Sequence, residues 1–161
     1  LLGGSSAAPS VVPAQPSKPA VQPSQTIMDE LEKYLSTMYV KTNKQYDFFS
    51  FVAAVYAGKA QNMNESQSYN AALSFYRKNL KDDFDDILVI SAQRYLNCLE
   101  EKKHQLEWLY QDKLEIATKS GSPALLDQLN QQKLVIDASY DAVYQKYNAM
   151  HKRLEKDFPT I

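Results

Sequence analysis

Apolar residues recur at steps of three and four from Asp82 to Lys119 and again from Pro123 to Asp157, and the two stripes meet at Ser120-Gly121-Ser122-Pro123. A stripe of that period marks a helix with one buried face. Gly121 is placed to take the left-handed conformation just past the first helix, Ser122 to cap the second and Pro123 to occupy its first turn. Helices joined so closely pack antiparallel. About 35 residues at 1.5 Å each make a rod on the order of 50 Å long. The spacing therefore predicts an all-α fold, an elongated helical bundle built on a long antiparallel coiled-coil-like hairpin.

The second arm has the cleaner pattern. Leu126, Leu129, Lys133, Ile136, Tyr140, Val143, Tyr147, Met150 and Leu154 alternate steps of three and four, and only Lys133 is not apolar. In the first arm Leu99, Leu106, Leu109 and Ile116 keep the same rhythm, with Lys102 and Lys113 interrupting. Phe84, Leu88, Tyr95 and Cys98 sit in a shifted register, the pattern of a stutter. Pro159 is expected to close the last helix near Asp157.

Upstream of the hairpin, helical pattern begins at Thr26, read as a cap with Asp29 three residues on. Ile27, Leu31, Tyr34 and Met38 share a face that Phe48, Val52 and Val55 resume after the polar interval Lys41 to Lys44, so one helix is expected over about 26–60. Gly58 and the polar run from Gln61 to Asn64 are expected to end it. Asn64 with Gln67 offers a second cap, for a helix over 64–80 carrying Tyr69, Leu73, Tyr76 and Leu80. A bend or break near Asn79 is favoured over an unbroken helix, with Asp82, Asp83, Asp85 and Asp86 at the positive end of the next, 82–119. The last helix is expected over 123–157, and together these helices form one domain, 26–161.

Residues 1–25 are set apart by composition, with five of the seven prolines, no aromatic residue and Lys18 as the one charge. Proline every three or four positions blocks helix and sheet ladders, so this stretch reads as a disordered low-complexity tether of polyproline-II character. Its opening, Leu1 to Ala8, fits either the remnant of a signal segment or a boundary inside a longer protein.

Several function classes lack their residue grammar. Formal charge is −1 with acids and bases interleaved, which removes the positive field that nonspecific nucleic-acid binding depends on. The longest nearly apolar run, Phe48 to Ala57, is about half of what a bilayer-spanning helix needs. An anchor upstream of this chain would still be compatible with it. Cys98 is the sole cysteine, so no internal disulfide and no cysteine-based zinc site is expected; it reads as a small buried residue. Glu101-Lys102-Lys103-His104 contains one Glu-x-x-His step, but a di-iron centre wants a second, and Asn148 precedes His151 where the matching Glu would stand. With only four glycines there is no phosphate-cradling loop. No catalytic residue, cofactor or metal is expected.

Function must then lie in surfaces. Eleven tyrosines suit helix interfaces whose rims are polar, and Tyr and Trp also dominate partner-binding hot spots. Of Trp108, Leu109 and Tyr110, one must face away from the hairpin seam. Candidate partner-binding residues are Trp108, Tyr110, Tyr144, Phe48 and Phe51. The expected role is a non-enzymatic scaffold or interaction subunit that binds other proteins of an assembly or itself, at a periplasmic or cell-envelope location with a cytoplasmic one as the alternative. A helical carrier or chaperone, sheltering an apolar client against Met38, Phe48, Phe49 and Phe51, is the second reading.

Overall fold

A computed structural model describes residues 21–42, 46–83 and 85–158. The described elements are all helical: α1 (Gln25–Thr42), α2 (Phe48–Ala60), α3 (Glu65–Leu80), α4 (Ile90–Ser120) and α5 (Pro123–Asp157), with a 3₁₀ turn at Lys81–Asp83 and a π turn at Asp85–Val89. Residues 1–20, which hold most of the expected tether, lie outside the described residues, as do Phe84 and Pro159. Residues 21–24 have no regular structure.

α4 and α5 form the hairpin that the turn chemistry predicts. Gly121 has φ 68° and ends α4, and Ser122 Oγ accepts from the Leu125 N–H while Pro123 opens α5. Pairing is antiparallel. Tyr144 of α5 donates to Glu100 of α4 at 3.2 Å, Lys103 stands over the Tyr140 ring, and nearer the tip Tyr110 and Ala117 pack with Leu129. The α5 stripe is inward along its length, with Leu129, Tyr140, Val143, Tyr147, Met150 and Leu154 all buried. Lys133, its one polar member, is half-buried and pairs with Asp137 at 2.9 Å.

The register of α4 departs from expectation in its second half. Leu88, Ala92, Tyr95 and Leu99 are buried, then Leu106 is half-buried, and the inward line continues through Tyr110, Leu114 and Ala117. Two successive steps of four, 106 to 110 to 114, rotate the seam, which places the stutter here and turns Leu109 and Ile116 outward.

The expected single helix over 26–60 is two helices. Asp47 is the reason. Its carboxylate accepts from the Ser50 N–H at 3.1 Å and so starts α2 afresh. Ser91 of α4 takes the Phe48 N–H at 2.9 Å, and the Tyr95 hydroxyl donates to the other Asp47 oxygen. The cap of α1 also lies two residues earlier than expected: Ser24 rather than Thr26 caps it, accepting from the Ile27 N–H, while Asp29 pairs with Gln25. The Ser24 N–H donates to Ser139 Oγ at 2.7 Å and ties this end to α5. The Asn64/Gln67 capping box forms as read. α3 ends at Lys81 with φ 51°, the break favoured near Asn79, and α4 proper begins at Ile90 rather than at Asp82.

α2 lies at the centre. Phe48, Phe51, Val52 and Val55 are fully buried. Phe51 meets Tyr69 and Tyr76 of α3 edge-on, Phe49 meets Tyr95 of α4, and Phe48 meets Tyr147 of α5. α2 ends at Ala60, where Gly58 and the polar run were expected to end it, with the Gln61 N–H donating to the Gly58 carbonyl; Gly58 also lets α3 come close, since a Cβ there would lie 2.1 Å from Ser68 Oγ. α1 closes another side, where Lys146 pairs with Glu32 at 2.9 Å.

Burial pushes the Asp47 carboxyl above its ordinary value, an effect only partly offset by the hydrogen bond from Tyr95. A folded-state pKa above the unfolded one means that the fold holds the proton more tightly than the open chain does. The group's contribution to stability is then greatest in acid and is lost as pH rises through the folded pKa, starting near the ordinary carboxylate value of about 4. Asp47→Asn keeps an acceptor for Ser50 and removes the charge. Urea melts from pH 4 to 7 are expected to show less loss of stability with rising pH in this variant than in the parent. Asp47→Ala, which also removes the cap, is expected to cost about 1–2 kcal/mol at neutral pH. Parallel pH profiles for Asn and Asp would contradict this.

Candidate partner-binding surface

The candidate residues are divided by the fold. Phe48 and Phe51 are in the core and offer no surface while the bundle is closed, so as contact residues they are corrected by their burial. The polar break before Phe48 concealed this, because it made the aromatic run look like one side of a long helix. Tyr110 is also buried, under its own hairpin, with Lys113 over its ring at 5.1 Å. Tyr144 is half-buried with its hydroxyl on Glu100. Trp108 is 80 % exposed and is the member of its trio that faces furthest outward.

The tyrosines behave as interface fillers with anchored rims. Tyr69 donates to Asp157 at 2.7 Å, Tyr76 to Ser50 at 2.7 Å, and Tyr95 to Asp47. Burial raises the phenol pKa of Tyr69, Tyr95, Tyr140 and Tyr147, so all four remain neutral. Cys98 is buried and its thiol is pushed up, by burial first and then by the charge of Glu101.

Titratable side chains gather between the two arms, where Glu100, His104, Glu107 and Asp141 line a cavity of about 400 Å³ with Lys103, Tyr140 and Tyr144. His104 sits 3.6 Å from Glu107 rather than pairing with Glu100, and His151 sits 3.8 Å from Glu155. Among the described residues no group of three or more His, Cys, Asp or Glu is placed to hold a metal ion. No described helix is long and apolar enough to cross a membrane.

The large apolar side chains that the fold leaves outside are few and mostly gathered in one region. Among the described residues, five of the eight large apolar side chains that stay exposed lie between Trp108 and Leu134, at the tip half of the hairpin. Ile116 is 67 % exposed, Leu109 48 % and Leu125 40 %. Sequence spacing alone assigned Leu109 and Ile116 to the seam, and only the rotation at Leu106–Leu114 reveals them as surface. Where α1 begins, an apolar groove of about 430 Å³ opens between Ile27, Tyr110, Gln132, Val135 and Ile136.

Set against known proteins, the chain matches no family model, no curated protein and no solved structure. Its surfaces therefore carry the functional reading. Trp108 and Tyr110 differ in burial and should differ in cost. Trp108→Ala is expected to change stability by no more than about 0.5 kcal/mol, and Tyr110→Ala to lose about 3 kcal/mol. Chemical denaturation of both variants checks the assignment, and a costly Trp108→Ala would contradict it.

Proposed function

We propose that the protein is a non-enzymatic helical scaffold or interaction subunit of a larger protein assembly, at a cell envelope, which offers the tip half of its hairpin to partner proteins. The observation that carries this reading is the concentration of exposed apolar side chains between Trp108 and Leu134, on the stretch of the arms that reaches past the main core. Exposed apolar side chains gathered on one part of a folded chain point to an interaction site, and Trp is among the side chains most enriched where binding energy concentrates. The envelope location rests on composition, since Pro, Ala, Ser and Gln tethers suit a body held away from an anchor.

Native purification of the chain from its own source tests this. A partner retained in stoichiometric amount, or a defined oligomer, is expected. The pair Trp108→Ala and Ile116→Ser should lower the retained amount about tenfold, the effect of losing roughly 1.4 kcal/mol of contact. A monomer that retains nothing from native extract would overturn the proposal.

A further inference from the structure

Where the main core gives way to the two-helix rod, α4 and α5 part around a polar cleft. Glu100, Lys103 and Glu107 follow one another on α4 at steps of three and four and so share a face. Tyr140, Asp141 and Tyr144 of α5 stand opposite, and the space between them is about 400 Å³, within the range of small-molecule sites. The antiparallel pairing sets their order. Tyr144 donates to Glu100 at one end and Lys103 lies over the Tyr140 ring in the middle. Asp141 is therefore near mid-cleft and Glu107 at the far end, about 10 Å from Glu100 by the rise of seven helical residues. Three carboxylates against one ammonium leave an excess of two negative charges with His104, at the rim, neutral.

Acids along a helix are ordinarily no more than a solvated face. Tyr140 makes this one different. It is 3 % exposed, yet among the described residues its hydroxyl has no hydrogen-bond partner, whereas Tyr69, Tyr76, Tyr95 and Tyr144 each donate to one. A buried polar group without a partner calls for an explanation. Burial first, then Tyr144 and the charges of Glu100, Asp141 and Glu107, push this phenol up, so its oxygen faces the carboxylates of the cleft. Asp141 likewise has no hydrogen bond or ion pair among the described residues. The ring itself already accepts a cation: Lys103 Nζ stands 5.2 Å from its centroid. Tyr144 stacks beside it at 5.8 Å with the planes 21° apart, which completes an aromatic floor.

We propose that this cleft binds a small aliphatic diamine, with one ammonium group at Glu100, the other between Asp141 and Glu107, and the carbon chain lying over Tyr140 and Tyr144. The Tyr140 oxygen accepts a hydrogen bond from the nearer ammonium and so gains the partner that it lacks. Carboxylates strung along a line do not converge on a point, and no group of them is placed to hold a metal ion. Two separated charges therefore suit the cleft better than one inorganic cation, and a dication matches its excess charge. Lys103 is the internal competitor, since its ammonium holds the ring face that the ligand would cover. The proposal goes beyond the interaction-subunit reading and does not rest on it, because no residue of the cleft lies between Trp108 and Leu134.

Isothermal titration of the full chain with putrescine is expected to show saturable binding with a Kd on the order of 100 μM at low salt, weakening as salt is raised. Butylamine, the monoamine of the same carbon length, should bind about tenfold more weakly. Magnesium ion should not displace putrescine at equal concentration. Tyr140→Phe removes only the unpartnered hydroxyl, so it should keep the parent's urea midpoint and yet bind about fivefold more weakly. Asp141→Asn and Glu107→Gln should each weaken binding by a similar factor, and Asp127→Asn, an acid outside the cleft, should leave it within about twofold. Lys103→Gln removes the competitor and should tighten binding severalfold. Heats that do not saturate, equal affinity for butylamine, or displacement by magnesium ion would reduce the cleft to a solvated acidic face and overturn the proposal. Parental affinity in Tyr140→Phe would overturn it as well.

Discussion

α2 is the helix on which the arrangement depends, because its flanks are covered on several sides and only Ala53, Ala57 and the last turn, Lys59 and Ala60, are left to solvent. Its fully buried Phe48, Phe51, Val52 and Val55 face α3, α4 and α5 at once. Hydrophobic burial of this kind needs neighbours on several flanks, which is why three short helices gather at one end of the hairpin. The polar atoms at the start of α2 are met by groups that are themselves buried: Asp47 receives Ser50 and Tyr95, and Ser91 receives Phe48. Specificity of docking thus comes from a few directional bonds set in an apolar surround.

The same economy explains the other end. α1, α2 and α3 are too short to follow 31- and 35-residue arms to their turn, so the outer arms have only each other. A two-helix rod buries one stripe per helix and leaves its flanks to solvent. Tyr110, Ala117 and Leu129 form a small core of their own there, separate from the main one. The flanks nevertheless carry Leu109, Ile116 and Leu125, residues that would serve as core if a third helix lay beside them. Fold and proposed function therefore share one cause, a hairpin longer than the body that wraps it.

Much of this was legible in the chain. The turn at Gly121, the α5 stripe and the capping box at Asn64 each rest on local rules that tertiary packing does not disturb. The break at Asp47 was not read, although an Asp directly before an apolar aromatic run is a capping signal, because the apolar face looked continuous across the polar interval. The α4 register failed for a different reason. Leu109 and Ile116 keep perfect heptad spacing with Leu99, and only the companionship of Tyr110 with Leu129 shows which of two overlapping stripes turns inward. Two candidate contact residues, Phe48 and Phe51, were misplaced by the first of these errors, while Trp108 lies on the surface because the seam runs through Tyr110 and turns Trp108 and Leu109 away from it.

Amide hydrogen exchange along both arms tests the asymmetry most directly. Backbone groups open in cooperative units whose stability follows local burial. In the isolated chain, amides of 91–99 and 140–151 should exchange slowest, and those of 111–132 on the order of a hundredfold faster or more, with the change falling where α1 begins. Equal protection from body to tip would mean that the outer arms are covered, and would contradict the account.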